Sequence, residues 1–354
     1  MGWGLIEGLR LAEGELLVFA ACWFAVGALD EFAIDLIWLW LSTQGRTRSR
    51  RLPPGYERRP LAGRSAVVVA AWHEAQVIGE MVAHTLAAWP QRALTLYVGC
   101  YCNDAATLAA AMAGVGNDMR LRLIVHDQPG PTTKADCLQR VFRAILADEE
   151  RQGFRYDGVV FLDAEDMVHP AALALIDFML ERVDFVQLPV RPEPQAHSRL
   201  VAGHYTDEFT EAHAKTMVVR DALGAGLPSA GVGFGVSRRA LAMLAAHRAT
   251  RGGEGPFEPQ CLTEAYELGL LLSRLGASGR FIRARDHAGQ LVATRAFFPA
   301  TIGAAVRQKT RWTQGIALQG WDRLGWSGGL VEWWMMLRDR RGPLLALVLS
   351  AAYV

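Results

Sequence analysis

Acidic side chains follow three short apolar runs of this sequence, where they could bind a charged ligand. They are Glu74 after Ala66–Ala70, Asp104 after Leu94–Gly99, and Asp163, Glu165 and Asp166 after Val159–Leu162. Such acids are often only N-caps of the next helix, but three successive sites, one with three carboxylates in four residues, favour a binding site. Clustered carboxylates repel one another unless a cation neutralises them, so the pattern predicts Mg²⁺ or Mn²⁺ holding a diphosphate, with Lys134 adding positive charge.

The segments around these acids alternate between strand and helix patterns. The strand patterns are Ala66–Ala70, Leu94–Gly99, Leu121–Val125, Val159–Leu162 and Phe185–Leu188, and the helix patterns are Ala75–Ala88, Ala105–Ala113, Lys134–Glu150 and Ala171–Arg182. Runs that are apolar on both faces and separated by helices predict an α/β fold with a mostly parallel sheet flanked by helices. Such a sheet binds ligands at the carboxyl ends of its strands, so we expect the acids to converge there.

Composition and motifs exclude several classes of protein. The chain has 354 residues with 37 Lys and Arg against 36 Asp and Glu, a balance that gives no reason to expect a nucleic-acid partner. Apolar residues make up 51% of the chain, which excludes global disorder, and the five cysteines lack the CxxC spacing of a structural zinc site. There is no P-loop, HExxH or GxSxG motif, and Gly231–Gly235 is interpreted as a flexible or close-packed segment rather than a dinucleotide fingerprint.

The N-terminal part of the chain has the pattern of a membrane anchor. Leu16–Leu29 is uncharged and apolar, and Phe32–Leu41 is interrupted only by Asp35. About 20 residues are needed to cross a bilayer, and the combined run reaches that length provided that Glu31 and Asp35, which share a helical face, meet protein or headgroups. A signal peptide is the alternative, but three acids against one arginine precede the run, which is the wrong charge. We therefore predict an uncleaved anchor over residues 1–45.

Arginines and tryptophans mark further segments that we expect near the membrane. Residues 46–64 hold seven arginines and one acid, so the positive-inside rule predicts that this linker and the domain 65–300 are cytoplasmic. Residues 301–341 hold five tryptophans beside several arginines, which is typical of interfacial helices. The apolar run 342–354 predicts the start of a further transmembrane segment. Because this run is too short to cross a bilayer, we expect the chain to be a fragment of a longer protein.

Several motifs occur in an ordered pattern along the chain. They are Glu74 after the first strand, Asp104 after the second, Asp163-x-Glu165 after the fourth, Thr263-Glu264, and Gln308-Lys309-Thr310-Arg311-Trp312. This order resembles the membrane-bound processive family 2 glycosyltransferases, which include cellulose, chitin and hyaluronan synthases. The segments 130–136 and 162–170, and Leu29-Asp30-Glu31-Phe32 in the anchor, are more closely similar to the phage adsorption protein B family of bacterial inner-membrane glycosyltransferases.

The resemblance implies a GT-A-like, Rossmann-type domain and a role for each motif. In the nucleotide-sugar site, it implies that Glu74 and Asp104 hold the uridine and ribose of a UDP-sugar, beside Lys134 and Asp163. For the metal and the diphosphate, it implies Asp163 and Glu165, although the family usually has a second Asp at Glu165, and Asp166 could share or replace that ligation. On the interfacial helix, it implies catalytic roles for Gln308, for Arg311 near the diphosphate and for Trp312 near the acceptor.

One position departs from the family pattern. The family reads Thr-Glu-Asp, with the Asp taking the proton from the acceptor hydroxyl, whereas Ala265 follows Glu264 in this chain. General-base assistance contributes about 10²- to 10⁴-fold, so strict inheritance predicts an impaired enzyme unless Glu264 or Glu267 substitutes. A native alanine and an alanine engineered in place of aspartate would give the same sequence at this position.

The leading hypothesis is an inverting glycosyltransferase of the bacterial inner membrane. By resemblance it transfers a sugar, an N-acetylhexosamine, from a UDP-sugar to a growing envelope polysaccharide or exopolysaccharide. The expected partners are that donor, a glycan acceptor, membrane lipid, and an export partner in the outer membrane or periplasm. The alternative is a nucleotide-sugar-binding membrane scaffold without turnover, and a third hypothesis is a soluble α/β protein whose apolar ends are core helices.

Overall fold

The N-terminal part of the chain forms one long helix. The structure is a computed structural model that describes residues 2–353, and it begins with helix α1, Gly2–Thr43. Within it, Ile6–Thr43 is long and apolar enough to cross a membrane by length and composition, with a mean hydropathy of 1.8 in its most apolar window. Only 11% of that window is buried, which argues against the hypothesis that this end of the chain is a core helix.

The rest of the chain alternates strands with helices. The strands are β1 (Arg50–Arg51), β2 (Ser65–Ala70), β3 (Leu94–Tyr101), β4 (Leu121–His126), β5 (Gly158–Leu162), β6 (Phe185–Gln187), β7 (Val190–Pro192), β8 (Phe234–Ser237), β9 (Gly279–Phe281), β10 (Ala284–Arg285) and β11 (Thr294–Ala296). The helices up to the last strand are α2 (Ile78–Ala88), α3 (Ala105–Val115), α4 (Lys134–Gln152), α5 (Ala172–Leu180), α6 (Val201–Glu211), α7 (Met217–Ala222), α8 (Arg238–Ala249) and α9 (Glu264–Arg274). After it come α10 (Ile302–Trp312), α11 (Gly320–Leu324), α12 (Leu330–Arg340) and α13 (Gly342–Tyr353). Two π-helical segments, π1 (Ala212–Thr216) and π2 (Thr313–Gln319), interrupt these helices.

The central sheet is mostly parallel, which confirms the predicted fold class. Among the described residues, seven strands pair in the order β4-β3-β2-β5-β8-β6-β9. β2 is parallel to β3 and β5, β3 to β4, and β6 to β9, whereas β8 is antiparallel to both of its neighbours. The carboxyl ends of β2, β3 and β5 therefore meet at one edge.

Helices cover both faces of the sheet. Along β2, Val67 and Val69 are fully buried in a cluster that includes Ile78 of α2, while Val68 points the other way and packs with Val141 of α4. A strand whose two faces are both apolar needs a layer on each side, because either face left bare would expose hydrophobic surface to water.

Most elements lie within a few residues of their predicted bounds, with one informative difference. The predicted helix Ala75–Ala88 begins only at Ile78, because the chain after β2 first makes a turn in which the N–H groups of Val77 and Ile78 both donate to the Glu74 carbonyl. Within Gly231–Gly235, the last two glycines are close-packed, whereas nothing lies within 4 Å of an added Cβ at Gly231. Gly233 has φ +64°, and a Cβ there would lie 2.3 Å from the hydroxyl oxygen of Thr294.

Helices α2 and α3 cross at two glycines, and this contact allows a test of the packing. A Cβ added at Gly114 would lie 2.1 Å from the carbonyl oxygen of Gly79, so Gly114→Ala must push the two helices apart. We expect the free energy of unfolding in detergent to fall by about 1–3 kcal/mol, the usual cost of overpacking.

Gly203→Ala in α6 is the matched control for this substitution. Nothing lies within 4 Å of an added Cβ at Gly203, so we expect no loss, or a gain of about 0.5–1 kcal/mol from the better helix former. Chemical denaturation of both variants checks the prediction, and equal losses would contradict it.

Candidate active site

A cavity of about 830 Å³ opens at the edge of the sheet where the predicted acids were expected to meet. One wall comes from the strand ends and the other from α9, α10 and π2. Predicted site residues that line it are Glu74, Lys134, Asp163, Glu165, Asp166, Glu264, Ala265, Gln308, Arg311 and Trp312. Glu74 and Trp312, which are 238 positions apart in the sequence, thus face the same cavity.

Asp104 is the predicted site residue that lies behind this lining rather than in it. Its side chain is buried, and its two oxygens accept from the backbone N–H of His73 at 2.7 Å and of Thr107 at 3.3 Å. Burial alone would raise the pKa of Asp104, but these hydrogen bonds outweigh it and lower the pKa. The carboxylate caps α3, the alternative role considered for such acids, and it also holds the loop that carries Glu74.

Asp163 and Lys134 form an ion pair in the middle of the cavity wall. The Lys134 ammonium donates to Asp163 Oδ1 and lies 3.8 Å from Glu264 Oε1. Burial alone would lower the pKa of Lys134, but the Asp163 and Glu264 carboxylates outweigh it and hold that pKa above its ordinary value. Lys134 therefore stays charged and neutralises part of the negative charge of the wall.

The neighbouring carboxylates are crowded and incompletely paired. Asp166 is fully buried; its Oδ2 accepts from the Asp163 N–H at 2.8 Å, whereas its Oδ1 has no partner within residues 2–353. Burial and the Asp163 charge raise the pKa of Asp166 well above its usual range. Loss of hydration within the cavity, with Asp163 and Glu74 close by, raises the pKa of Glu165 to about 7. The cavity wall therefore has fewer positively charged side chains than carboxylates.

These carboxylates fit a hard divalent cation. Across residues 2–353, no group of three or more His, Cys, Asp or Glu side chains is already arranged around a single point. The donor set is nevertheless that of Mg²⁺ or Mn²⁺, because carboxylate oxygens are their preferred protein ligands. The free Oδ1 of Asp166 is the kind of buried polar atom that needs a partner. Asp163, Glu165 and Asp166 are therefore the residues that would hold the ion.

The surroundings of Glu264 and Glu267 distinguish these two residues, either of which could replace the aspartate that the family has at position 265. Glu264 lines the cavity with a side chain that is 10% exposed, and burial raises its pKa. Glu267 does not line it; its carboxylate binds the Arg323 guanidinium through contacts of 2.7 and 2.8 Å. Ala265 is 8% exposed and presents only a methyl group. Glu264 is thus the one of these residues with a carboxylate facing the cavity.

The wall opposite the strand ends is built by α10 and π2. Gly315 of π2 packs directly on Thr263, where a Cβ would lie 2.4 Å from the Thr263 methyl carbon. Gln308 and Trp312 of α10 line the same cavity as Glu264 at the start of α9. Within the described chain, Thr263 Oγ1 and Gln308 Oε1 are buried without a hydrogen-bond partner.

Several lining residues were not predicted from the sequence. They include Trp72, Phe209, His213, Phe298 and Asp339. Trp72 stacks on His73 with ring centroids 4.1 Å apart, and Trp312 packs edge-on against Tyr205 at 6.0 Å. The spacing of Tyr205 and Phe209, one helical turn apart in an amphipathic segment, was the available signal for the aromatic part of this wall.

The sequence also matches known proteins. Residues 62–315 match the family model described as glycosyltransferase like family 2. Over 341 residues the chain is 35% identical both to Bacteriophage adsorption protein B of Escherichia coli strain K12 and to Bacteriophage N4 adsorption protein B of Escherichia coli O157:H7. These matches cover 90% of this chain but 45% of each relative, so the chain spans about half the length of the curated relatives it matches.

A solved structure with a similar fold is the mannosyltransferase PcManGT from Pyrobaculum calidifontis, in complex with GDP-mannose and Mn²⁺. The two superpose with a TM-score of 0.59 at 16% identity, over 96% of this chain and 87% of that one. At this identity the likeness bears on the fold alone, and it agrees with the mostly parallel sheet flanked by helices. With the family match over residues 62–315, it shows that this chain belongs to family 2 of the glycosyltransferases and has a GT-A-like fold.

Proposed function

We propose that the chain is an inverting glycosyltransferase that transfers a sugar, an N-acetylhexosamine, from a UDP-sugar to a growing envelope polysaccharide or exopolysaccharide. Membership of family 2 supports nucleotide-sugar transfer, and the resemblance to the phage adsorption protein B relatives supports the envelope glycan.

One observation carries the proposal. Three buried polar atoms in the cavity wall, Asp166 Oδ1, Thr263 Oγ1 and Gln308 Oε1, have no hydrogen-bond partner among the described residues. Each comes from a different element, and an unpaired buried polar group costs about 1–3 kcal/mol. Such groups persist where a ligand pairs with them, and a polyhydroxylated substrate beside a metal-bound diphosphate supplies the necessary donors and acceptors.

The proposed reaction is a single displacement at the anomeric carbon. The acceptor oxygen attacks that carbon as the bond to the diphosphate breaks, UDP departs, and the configuration is inverted. Glu264 accepts the proton of the acceptor hydroxyl, a role for which a buried carboxylate with a raised pKa suits it. Its place in the first turn of α9, where it lines the cavity, supports this role.

Positive charge is available where the diphosphate would leave. Lys134 stands beside Asp163, and Arg311 of α10 lines the same cavity. A bound Mg²⁺ or Mn²⁺ would supply further neutralisation of the departing diphosphate, held by Asp163, Glu165 and Asp166. Cationic groups fixed in advance where charge develops favour the transition state, because they need not reorganise during the reaction.

The proposed location is the bacterial inner membrane, with the catalytic domain in the cytoplasm. Helix α1 is apolar and exposed over its first part, and the linker that follows is rich in arginine. The exposed apolar side chains of α10 to α12, among them Ile302, Trp321 and Leu337, favour helices that lie at the lipid surface. Membrane lipid is then a partner, and an export partner would receive the product beyond the membrane.

The test of this function is UDP release by the full chain in lipid nanodiscs. We expect Mn²⁺-dependent release with at least one member of a UDP-sugar panel that includes UDP-N-acetylhexosamines, and transfer of the sugar to glycan. GDP-mannose serves as the comparison donor. No release with any donor, from both the chain and its Ala265→Asp variant, would refute the enzymatic proposal.

A second candidate is a membrane scaffold that binds nucleotide sugars without turnover, and Ala265 favours it. This candidate predicts metal-dependent UDP binding by calorimetry in the absence of transfer. Measurable sugar transfer by the unmodified chain would exclude it.

A further inference from the structure

The C-terminal part of α1 is docked on the rest of the chain by a network of charged side chains. Asp30 accepts from the guanidinium groups of both Arg338 and Arg341, and Glu31 accepts from the same two arginines, Arg338 at 3.0 Å. The side chains of Asp30 and Arg338 are only 13% and 10% exposed. The Trp334 indole N–H also donates to Asp30. Two acids of α1 are thus matched by Arg338 of α12 and by Arg341, which directly follows that helix, with no net charge left.

Apolar packing and a second polar contact reinforce this docking. Ile34 and Leu41 of α1 are buried in one cluster with Val219 of α7 and Met335 of α12. Nearer the end of α1, Trp38 donates through its indole N–H to the Ala214 carbonyl of π1 at 3.1 Å. Asp30, Ile34, Trp38 and Leu41 recur at three- and four-residue intervals, so one stripe of α1 makes all of these contacts.

A side chain of α12 next to this docking contact reaches the active-site cavity. Asp339, which lies between the two docked arginines in sequence, lines that cavity. Its carboxylate binds the buried Arg220 guanidinium at 2.8 and 2.9 Å and accepts from the Tyr266 hydroxyl at 3.0 Å. Tyr266 follows Ala265 on α9, two residues from Glu264. A continuous set of contacts therefore runs from the acids of α1 through α12 to the start of α9.

We infer that Asp30 and Glu31 are positioning residues for sugar transfer, acting through α12 on the start of α9. By holding Arg338 and Arg341, they fix the register of α12 that sets Asp339 against Arg220 and Tyr266. The N-terminal helix is then part of the catalytic unit as well as an anchor. This inference rests on the proposed function, and it assigns the effect to transfer rather than to UDP binding, because the strand-end acids lie on the other wall.

The test uses the full chain in lipid nanodiscs with three measurements on each variant. They are the kcat/KM for the acceptor, the Mn²⁺-dependent affinity for UDP by calorimetry, and backbone hydrogen exchange of α12. The neutralised variant is Asp30→Asn with Glu31→Gln. The swapped variant carries Asp30→Arg and Glu31→Arg together with Arg338→Glu and Arg341→Glu.

The neutralised variant is expected to lose about 10- to 100-fold in kcat/KM, the scale of a small misplacement of catalytic groups. We expect α12 to exchange faster in it while its UDP affinity is unchanged, and we expect the swapped variant to regain both transfer and protection. Glu13→Gln with Glu15→Gln removes two exposed acids of the same helix and should match the parent in all three measurements.

Three outcomes would overturn the inference. The first is unchanged transfer in the neutralised variant, and the second is a parallel loss of UDP affinity, which would indicate general damage. The third is unchanged exchange of α12, which decides against the inference whether or not the parent transfers sugar. A parent without transfer activity, in contrast, counts against the proposed function alone.

Discussion

Replacing Glu264 by Gln is expected to lower the rate of sugar transfer by about 10²- to 10⁴-fold, the usual contribution of a general base. The amide keeps the size of the side chain but accepts a proton far less readily. Lys134, 3.8 Å from Glu264 Oε1, keeps its closer partner Asp163, so we expect UDP affinity to change little. Single-turnover transfer and UDP calorimetry on the same samples separate the two effects.

Two companion variants make this prediction specific. Glu267→Gln removes a carboxylate from the same helix that is bound to Arg323 outside the cavity, and it should retain transfer. Ala265→Asp, combined with Glu264→Gln, should restore transfer, because it returns a carboxylate to the adjacent cavity position. Full activity of Glu264→Gln alone would contradict the role of this residue, and so would equal losses in Glu264→Gln and Glu267→Gln.

The convergence of the strand-end acids could be predicted from the sequence because it follows from topology. Parallel strands have their carboxyl ends at one edge, so the residues after β2 and β5 must meet there whatever the details of packing. That rule does not say which way a side chain points. Glu74 and Asp163 face the cavity, whereas Asp104, after β3, points back to cap α3 and hold the His73 N–H.

Periodicity also left the choice between Glu264 and Glu267 open. Residues three apart on a helix lie close to one face, and which of them meets a cavity depends on partners distant in the chain. Arg323 of α11 binds Glu267, and the spacing of the two acids does not predict that contact. The docking of α1 could not be predicted for the same reason, because Asp30 and Arg338 are 308 residues apart in the sequence.

The antiparallel strand β8 was not predicted either. It has four residues, one of them the glycine Gly235, and lies in a glycine-rich stretch that gives no alternating apolar pattern. Its place in the sheet depends on the fit of Gly235 against Ile176, where a Cβ would lie 2.3 Å from a side-chain methyl. A tight fit of this kind is a tertiary property, which local sequence patterns cannot report.

Asp166→Asn is expected to change metal-dependent binding and stability in opposite directions. Burial raises the pKa of Asp166 above that of an aspartate in the unfolded chain, so bringing the pH up to neutral costs the folded protein stability through this group. The amide oxygen of an asparagine can still accept the Asp163 N–H, so the metal-free variant should be at least as stable as the parent. With an anionic ligand gone, we expect Mn²⁺-dependent UDP affinity to fall about 100-fold or more, because a bound metal contributes several kcal/mol.

Calorimetry with UDP and Mn²⁺, together with thermal unfolding in EDTA, measures both halves of this prediction. Asp157→Asn is the matched control, because Asp157 precedes the same strand β5 at its opposite end, where its carboxylate accepts from the Arg64 N–H at 2.9 Å. It should leave UDP affinity unchanged. If Asp166→Asn binds UDP and Mn²⁺ as the parent does, Asp166 is not a ligand of the ion. If the variant is less stable than the parent but binds UDP and Mn²⁺ fully, the carboxylate of Asp166 serves to support β5. The group then stabilises the fold more through its hydrogen bond with the Asp163 N–H than it destabilises it by repulsion.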